Sequence, residues 1–198
     1  MNARKNQTNG SGLSSAVKLT AKTLPLLVCS GLVVLQARAG NDNRDPDVPA
    51  AIQAPGDTNK VAFHVYAVGV QIYTNDSTTF AWGLKAPEAT LFDADGNVVG
   101  IHYAYGYTSA GAPIPAWETE SGSLVVGSRI ASSGGGPGNI AWLLLQAIHT
   151  EGPGVLEPTT YVQRVNTAGG IMPPVVTQPG QEVRVPYTAE YFFYRAAK

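Results

Sequence analysis

The stretch Lys60 to Tyr73, KVAFHVYAVGVQIY, limits the fold more than any other part of this chain. Val61, Phe63, Val65 and Ala67 alternate with Ala62, His64, Tyr66 and Val68, a period of two that a strand produces and a helix does not. Both sets are largely apolar. A strand wetted on one face would carry polar residues at every second position, so this one is expected at the centre of a sheet, covered on both faces. Gly69 interrupts the run. With no side chain there, the strand is expected to bend or bulge before continuing from Val70 to Tyr73.

Residues 1–39 read as separate from the fold. They hold Arg4, Lys5, Lys18 and Lys22, no acidic residue, an apolar run from Leu24 to Leu35, and then Ala37-Arg38-Ala39. A positive leader, a short apolar stretch and a small-residue site describe a secretory signal peptide cleaved after Ala39. The apolar run is too short for an ordinary membrane helix of about 20 residues, and nothing comparable follows it. No membrane span is therefore expected after cleavage, and the location is expected to be secreted or periplasmic. A retained anchor is the competing interpretation.

Cys29 is the one cysteine of the chain and leaves with the leader. The exported protein then has to be held by packing, without the disulfides its compartment permits. The remaining 159 residues carry eight Lys and Arg against 14 Asp and Glu, a net charge of −6. With this mild acidity and no basic run, neither nucleic acid nor an anionic membrane surface is an expected partner.

From Gly40 to Asn59 the chain is rich in Asp, Pro and Ala without a sustained period, and reads as an extended, exposed lead-in. A single β domain is expected over 60–198. Asn75-Asp76-Ser77 marks a turn, after which Phe80, Trp82 and Leu84 alternate with smaller or polar residues as in a half-buried strand. Ala89 to Phe92 and Val98 to Tyr103 flank Asp93-Ala94-Asp95-Gly96-Asn97, where Asp95-Gly96 signals a hairpin turn. Asp93, Asp95 and Asn97 also match the first three ligand places of a calcium loop. The Gly expected next is Val98, however, and the closing Glu falls on Ala104, so the plain hairpin is preferred.

Tyr103 to Trp117, YAYGYTSAGAPIPAW, is too broken by Gly and Pro to read as one regular element, and is expected to be a long loop. Ser123 to Ile130 reads as a strand and Ser132 to Asn139 as a flexible connection. Ile140 to His149 is long enough for a helix, but its apolar run among Gly and Pro clusters favours a buried strand. Thr159 to Asn166, Gln181 to Tyr187 and Ala189 to Tyr194 supply the remaining strands. The expected architecture is all-β: an antiparallel sandwich or barrel of about nine or ten short strands.

A series of motifs then occurs in order: Gly69 to Tyr73, Pro87 to Leu91, Gly100 to Ala104, Trp117-Glu118, Gly122 to Gly127, Trp142 to Leu145, Tyr161 to Arg164 with Gly169-Gly170, and Val185-Pro186-Tyr187 followed by Tyr191 to Tyr194. Over Val61 to Tyr194 the chain resembles a family of exported bacterial and fungal proteins, the domain of unknown function DUF3455. The resemblance implies a disulfide in many members, between a Cys two places after the QIY motif and another before the VPY motif. This chain has Asn75 and the Pro173 to Gly180 loop in those regions. It also inserts a Tyr- and Gly-rich segment before Trp117, where relatives run directly into G-P-x-W.

Some fungal relatives carry the name malate dehydrogenase, which the residues here do not support. A dinucleotide fold needs a Gly-rich turn between a strand and a helix, with an acid about 20 residues on. Gly134 to Gly138 lacks that spacing, so no nicotinamide cofactor is expected, nor any other.

Other enzyme signatures are equally weak. Gly106 to Gly111 places one residue too many before Ser109 for a nucleophile elbow. His64, His102 and His149 are too far apart in sequence to imply a metal centre, and none is expected. Trp82, Trp117 and Trp142 are most simply core. Gln163 and Arg164 are adjacent strand residues facing opposite ways, and a structural ion pair or backbone contact is the expected role.

The favoured function is a noncatalytic exported β domain that binds a glycan or another small polar ligand. Its site would comprise Tyr105, Tyr107 and Trp117, with His102 beside them, because exposed rings offer flat apolar faces with polar tips. The alternative is a hydrolase or lyase using His102 and Glu118 for proton transfer, which requires both side chains in one cleft.

Overall fold

A computed structural model describes residues 44–174 and 178–198. The expected signal peptide lies outside the described residues. Eight strands follow one another in an antiparallel meander: β1 Asn59–Asn75, β2 Trp82–Phe92, β3 Val98–Tyr107, β4 Pro113–Thr119, β5 Leu124–Ser133, β6 Trp142–Glu151, β7 Thr159–Gly169 and β8 Glu182–Ala196. β8 pairs back onto β1, so the sheet closes into a barrel. Closure removes the free edges that an open sheet of this size would expose.

Several expectations change, among them the cover expected on both faces of β1, whose Val68 is exposed on the outside of the barrel. The separate strands expected at Gln181 to Tyr187 and Ala189 to Tyr194 are one strand, because Thr188 stays in register opposite Val68 instead of turning. The runs expected as separate strands at Phe80 to Leu84 and Ala89 to Phe92 likewise join, from Trp82 onward, in β2, and β4 is added, so the number is eight, and β1, β2 and β8 are long. The segment Tyr103 to Trp117 is no long loop. It forms the end of β3, a short turn and the start of β4, paired from Gly100↔Thr119 to Tyr107↔Pro113. Pro113 and Pro115 are tolerated there because β4 pairs with β5 only through Ala116, Trp117 and Glu118, so neither is asked for an N–H towards β5. Gly69 neither bends nor bulges β1. It sits in register between Ala89 and Tyr187, and the irregularities of β1 fall between Ile72 and Tyr73 towards β2 and between Val61 and Phe63 towards β8.

The interior of an eight-stranded barrel is just wide enough for side chains to fill it. Here Val65, Ala67, Leu91, Trp117, Val125, Leu145, Val162, Tyr191 and Phe193 do so. Large rings need small partners, and Gly69 and Gly100 lie so close to the neighbouring backbone that a Cβ there would stand 2.1 Å from Glu88 O and 2.2 Å from Glu118 O respectively. One end is closed by Leu156 of the β6–β7 connection, fully buried, whose N–H donates to Ser123 Oγ at 3.0 Å.

The lead-in is not wholly exposed. A 3-10 turn at Ala50–Ile52 places Ile52 among Val61, Leu144, Val165, Phe192 and Tyr194 on the outer surface of the barrel. Residues 93–97 form the expected hairpin turn. Gly96 takes φ +84°, and Asp93 Oδ1 accepts from the N–H groups of Asp95 and Asn97, so the carboxylate is consumed by the turn itself.

Candidate functional site

Strand parity decides which of the expected site residues meet. His102 is opposite Trp117 and both point inward, whereas Ile101 is opposite Glu118 and both point outward. His102 and Glu118 therefore occupy opposite faces of the sheet and share no cleft. Glu118 instead accepts a hydrogen bond from Tyr103 at 2.9 Å. That bond and burial raise the Tyr103 phenol to about 12, burial being the larger cause.

The aromatic platform is also divided. Tyr105 and Tyr107 are 50% and 54% exposed, but Trp117 is 1% and His102 3% exposed. Tyr105 leans towards His149, ring centroids 6.0 Å apart. Tyr107 lies near Lys85, whose pKa is raised mainly by its hydrogen bond to Glu182 and slightly by Tyr107. The two exposed rings thus serve different neighbours. Sequence alone could not separate them, because the bulge between Ala104 and Gly106 resets the alternation.

His102 and Trp117 belong to a polar and aromatic cluster inside the barrel. The imidazole is stacked on the indole, and its Nδ1 is 2.8 Å from Ala116 O, so that nitrogen carries the proton and donates. Tyr191 meets Trp117 edge-on at 5.2 Å and lies 3.5 Å, oxygen to oxygen, from Tyr187. Tyr73 donates to Gly170 O at 2.7 Å.

Arg164 completes the group. It is opposite Tyr191 on β8 and Leu143 on β6, and so faces inward, while Gln163 faces outward and donates to Ile52 O. The expected backbone contact is present for both: Arg164 Nη2 and Nε donate to Ala141 O at 2.8 and 3.1 Å.

The electrostatics of this cluster are one-sided. Burial raises the pKa of Tyr73, Tyr187 and Tyr191, and Arg164 partly offsets the rise in each. His102 is pushed down to about 3, chiefly by burial, with the bond to Ala116 opposing and Arg164 adding to the shift. No carboxylate and no second cation among the described residues acts on any of these four rings. The phenols are therefore neutral donors, and Arg164 has no anionic partner among the described residues.

Two buried donors of this cluster are left over, as are the indole N–H groups of Trp82 and Trp142 outside it. Gln71, 2% exposed, has an Nε2 without a hydrogen-bond partner, and so has the Trp117 Nε1. Gln71 lies towards Tyr187 and Trp117 towards Tyr191, without reaching normal hydrogen-bond geometry. Native interiors rarely leave such groups unmade, so each needs an explanation.

The cluster is not sealed. Arg164, Leu143, Ala104 and Pro115 occupy inward-facing positions yet remain partly exposed. They flank the side where β4 and β5 are no longer paired above Ala116. A separate groove of about 540 Å3 at the β1–β2 turn is lined by Thr74, Asp76, Trp82 and Gly180, among others, and includes none of the expected site residues. Gln71, Arg164, Tyr187 and Tyr191 escaped sequence reasoning as a group because they come from three strands. The visible signal was polar residues in otherwise apolar strands, Gln71 in VGVQIY and Arg164 in YVQRV.

No curated protein and no solved structure matches this chain. A family model described as protein of unknown function matches residues 55–195, from just before β1 almost to the end of β8 and across every element of the site, and the chain therefore belongs to the DUF3455 family.

Proposed function

We propose that this is an exported, noncatalytic β-barrel domain that binds a small polar ligand inside the barrel mouth, beside Arg164. The observation that carries this is the pair of buried, unpartnered donors, Gln71 Nε2 and Trp117 Nε1, next to a partly exposed guanidinium. Leaving a buried donor unmade costs about 1–3 kcal/mol, a cost that a bound acceptor removes. Export rests on the leader, the apolar run and the Ala37-Arg38-Ala39 site.

The catalytic alternative loses its support from the same geometry. His102 and Glu118 lie on opposite faces, and an imidazole with a pKa of about 3 is a poor base near neutral pH. The exposed Tyr105 and Tyr107 do not supply a joint glycan platform, because they diverge to different neighbours.

The test is a ¹H–¹⁵N spectrum of the purified protein, in which the indole N–H of Trp117, assigned with Trp117→Phe, reports the barrel mouth. Neutral sugars, amides, alcohols and carboxylates are titrated in turn. At least one class is expected to move the Trp117 signal while those of Trp82 and Trp142 stay still, and Arg164→Gln is expected to remove the response. A Trp117 signal unmoved by every class, or glycan binding that follows Tyr105→Ala instead, would overturn the proposal.

A further inference from the structure

We infer that the ligand is a small monoanionic organic acid, whose carboxylate is taken by Arg164 with Gln71 and Trp117 as additional donors and whose body lies against the aromatic walls. This rests on the site proposed above and specifies its chemistry.

The inference follows from an inventory of donors and acceptors. Arg164 offers a planar fork of N–H groups, Gln71 an amide N–H, Trp117 an indole N–H, and Tyr187 and Tyr191 phenolic O–H groups. The backbone carbonyls beside the cluster are already engaged, Ala141 O by Arg164, Ala116 O by His102 and Gly170 O by Tyr73, and the acceptors that remain, His102 Nε2 and the Tyr187 and Tyr191 oxygens, are all neutral. A site with a guanidinium, an amide and an indole as donors and only neutral acceptors favours an acceptor-rich ligand. A neutral sugar brings as many hydroxyl donors as acceptors, and matches that surplus of donors less well than a carboxylate does.

Charge points the same way. A partly buried cation without a counter-ion is costly, and no carboxylate among the described residues pairs with Arg164, while Glu88 is engaged with Arg184, Glu182 with Lys85, Glu190 with His64 and Glu118 with Tyr103. A guanidinium fits a carboxylate through two parallel hydrogen bonds. Since Arg164 is the one cation that acts on these rings, one negative charge is balanced and a doubly charged phosphate is not.

The rest of the ligand is constrained by what surrounds the fork. Trp117, Tyr187, Tyr191 and His102 present rings, and Leu143, Ala104 and Pro115 line the partly exposed approach. A flat apolar body is accommodated there better than a polyhydroxylated one.

Benzoate and benzamide have the same shape and differ in charge, so the pair separates the two claims. Followed through the Trp117 indole signal and by calorimetry, benzoate is expected to bind about ten- to a hundredfold more tightly than benzamide, the margin of a charge-assisted hydrogen bond. Arg164→Gln is expected to erase that margin. Gln71→Glu places a carboxylate within the site itself, and is expected to abolish benzoate binding while raising the melting temperature.

Equal binding of the two probes, both lost in Arg164→Gln, would overturn the anionic ligand but leave the site in place. Benzoate binding that persists unchanged in Arg164→Gln, or never moves the Trp117 signal, would overturn both. If Arg164→Gln does not fold, the Gln71→Glu variant and the wild-type comparison of the probes decide the matter: a Gln71→Glu protein that still binds benzoate as the wild type does sinks the inference.

Discussion

His102 lies flat on Trp117, with ring centroids 4.6 Å apart and planes 8° from parallel. The stack explains why this histidine behaves as a core residue: its Nδ1–H is spent on Ala116 O, and its ring is wedged between the indole and Tyr191. Burial holds its pKa near 3, against about 6.5 in an unfolded chain.

The sign of the resulting pH effect is fixed by which state binds the proton. Below about pH 6.5 the unfolded chain takes it up while the folded one does not, so the contribution is fully present above that pH and is lost progressively down to about pH 3. Each pH unit in that window costs about 1.4 kcal/mol. Urea unfolding of wild type and His102→Leu between about pH 7.5 and pH 4.5 should show the wild type losing stability more steeply by roughly this slope. Parallel curves would show that His102 titrates normally.

Gly69 carries the tightest backbone contact on the β1–β2 ladder. An added Cβ would stand 2.1 Å from Glu88 O and 2.5 Å from Ala89, with no flexible side chain to give way. Gly69→Ala is therefore expected to destabilise by more than the 1–3 kcal/mol typical of overpacking, or to prevent folding. Gly106 is the control, since nothing lies within 4 Å of its added Cβ, and Gly106→Ala should leave the unfolding midpoint nearly unchanged. Soluble expression and urea titration of the two variants are sufficient measurements.

The same glycine shows where sequence reasoning succeeds and where it stops. A period of two over Lys60 to Tyr73 was enough to place a strand but not the cover expected on both faces, since barrel closure leaves Val68 on the outer face 54% exposed, and the turn chemistry of Asp95-Gly96 was enough to place a hairpin. The reason for Gly69 was invisible, because it depends on Glu88 and Ala89 of the neighbouring strand. Prolines misled for a related reason. Pro113 and Pro115 look like loop residues until it is known that β4 has no partner on that side. Trp117 could be read as core or as a binding surface. Register with His102 decided for the core, and register is not written in local composition.

The N-terminal strap is the next consequence. Ile52 is fully buried on the outer surface, and its carbonyl accepts from Gln163 Nε2, whose Oε1 accepts from Tyr194 Oη. Tyr194 is itself pushed up in pKa, first by burial and then by Asp45. Segment 44–54 is thus tied to β7 and β8 by one side chain and one relay, although it lies ahead of the family match. Ile52→Ala should cost about 2–5 kcal/mol, as for other buried Ile truncations. Tyr194→Phe should cost about 1–3 kcal/mol, because Gln163 Oε1 is left buried and unmade. Because the Ile52 and Tyr194 side chains belong to one outer cluster, the double variant is expected to lose less than the sum. Strict additivity in a double-mutant cycle would mean that the two side chains do not support each other.

Asn75 and Gln181 meet at the end of the β1–β8 ladder, in the region where the family resemblance implies a disulfide in many members. Asn75 N donates to Gln181 O at 2.9 Å, one step beyond the last ladder pair, Thr74↔Glu182. Directly opposed antiparallel residues of this kind have Cα atoms about 5.5 Å apart, inside the range of roughly 4.4–6.8 Å that a disulfide spans. In a Cys29→Ser background, Asn75→Cys with Gln181→Cys is expected to oxidise to a bridge closing a loop of about 100 residues. The chain-entropy argument puts the gain at up to about 4.7 kcal/mol, and engineered bridges typically return about 2–4. Comparing the oxidised and reduced forms of the same double variant cancels the loss of the Asn75 bond to Phe80 O. An oxidised form no more stable than the reduced one, at any denaturant concentration, would show that β1 and β8 are not held together at this end in the way their register implies.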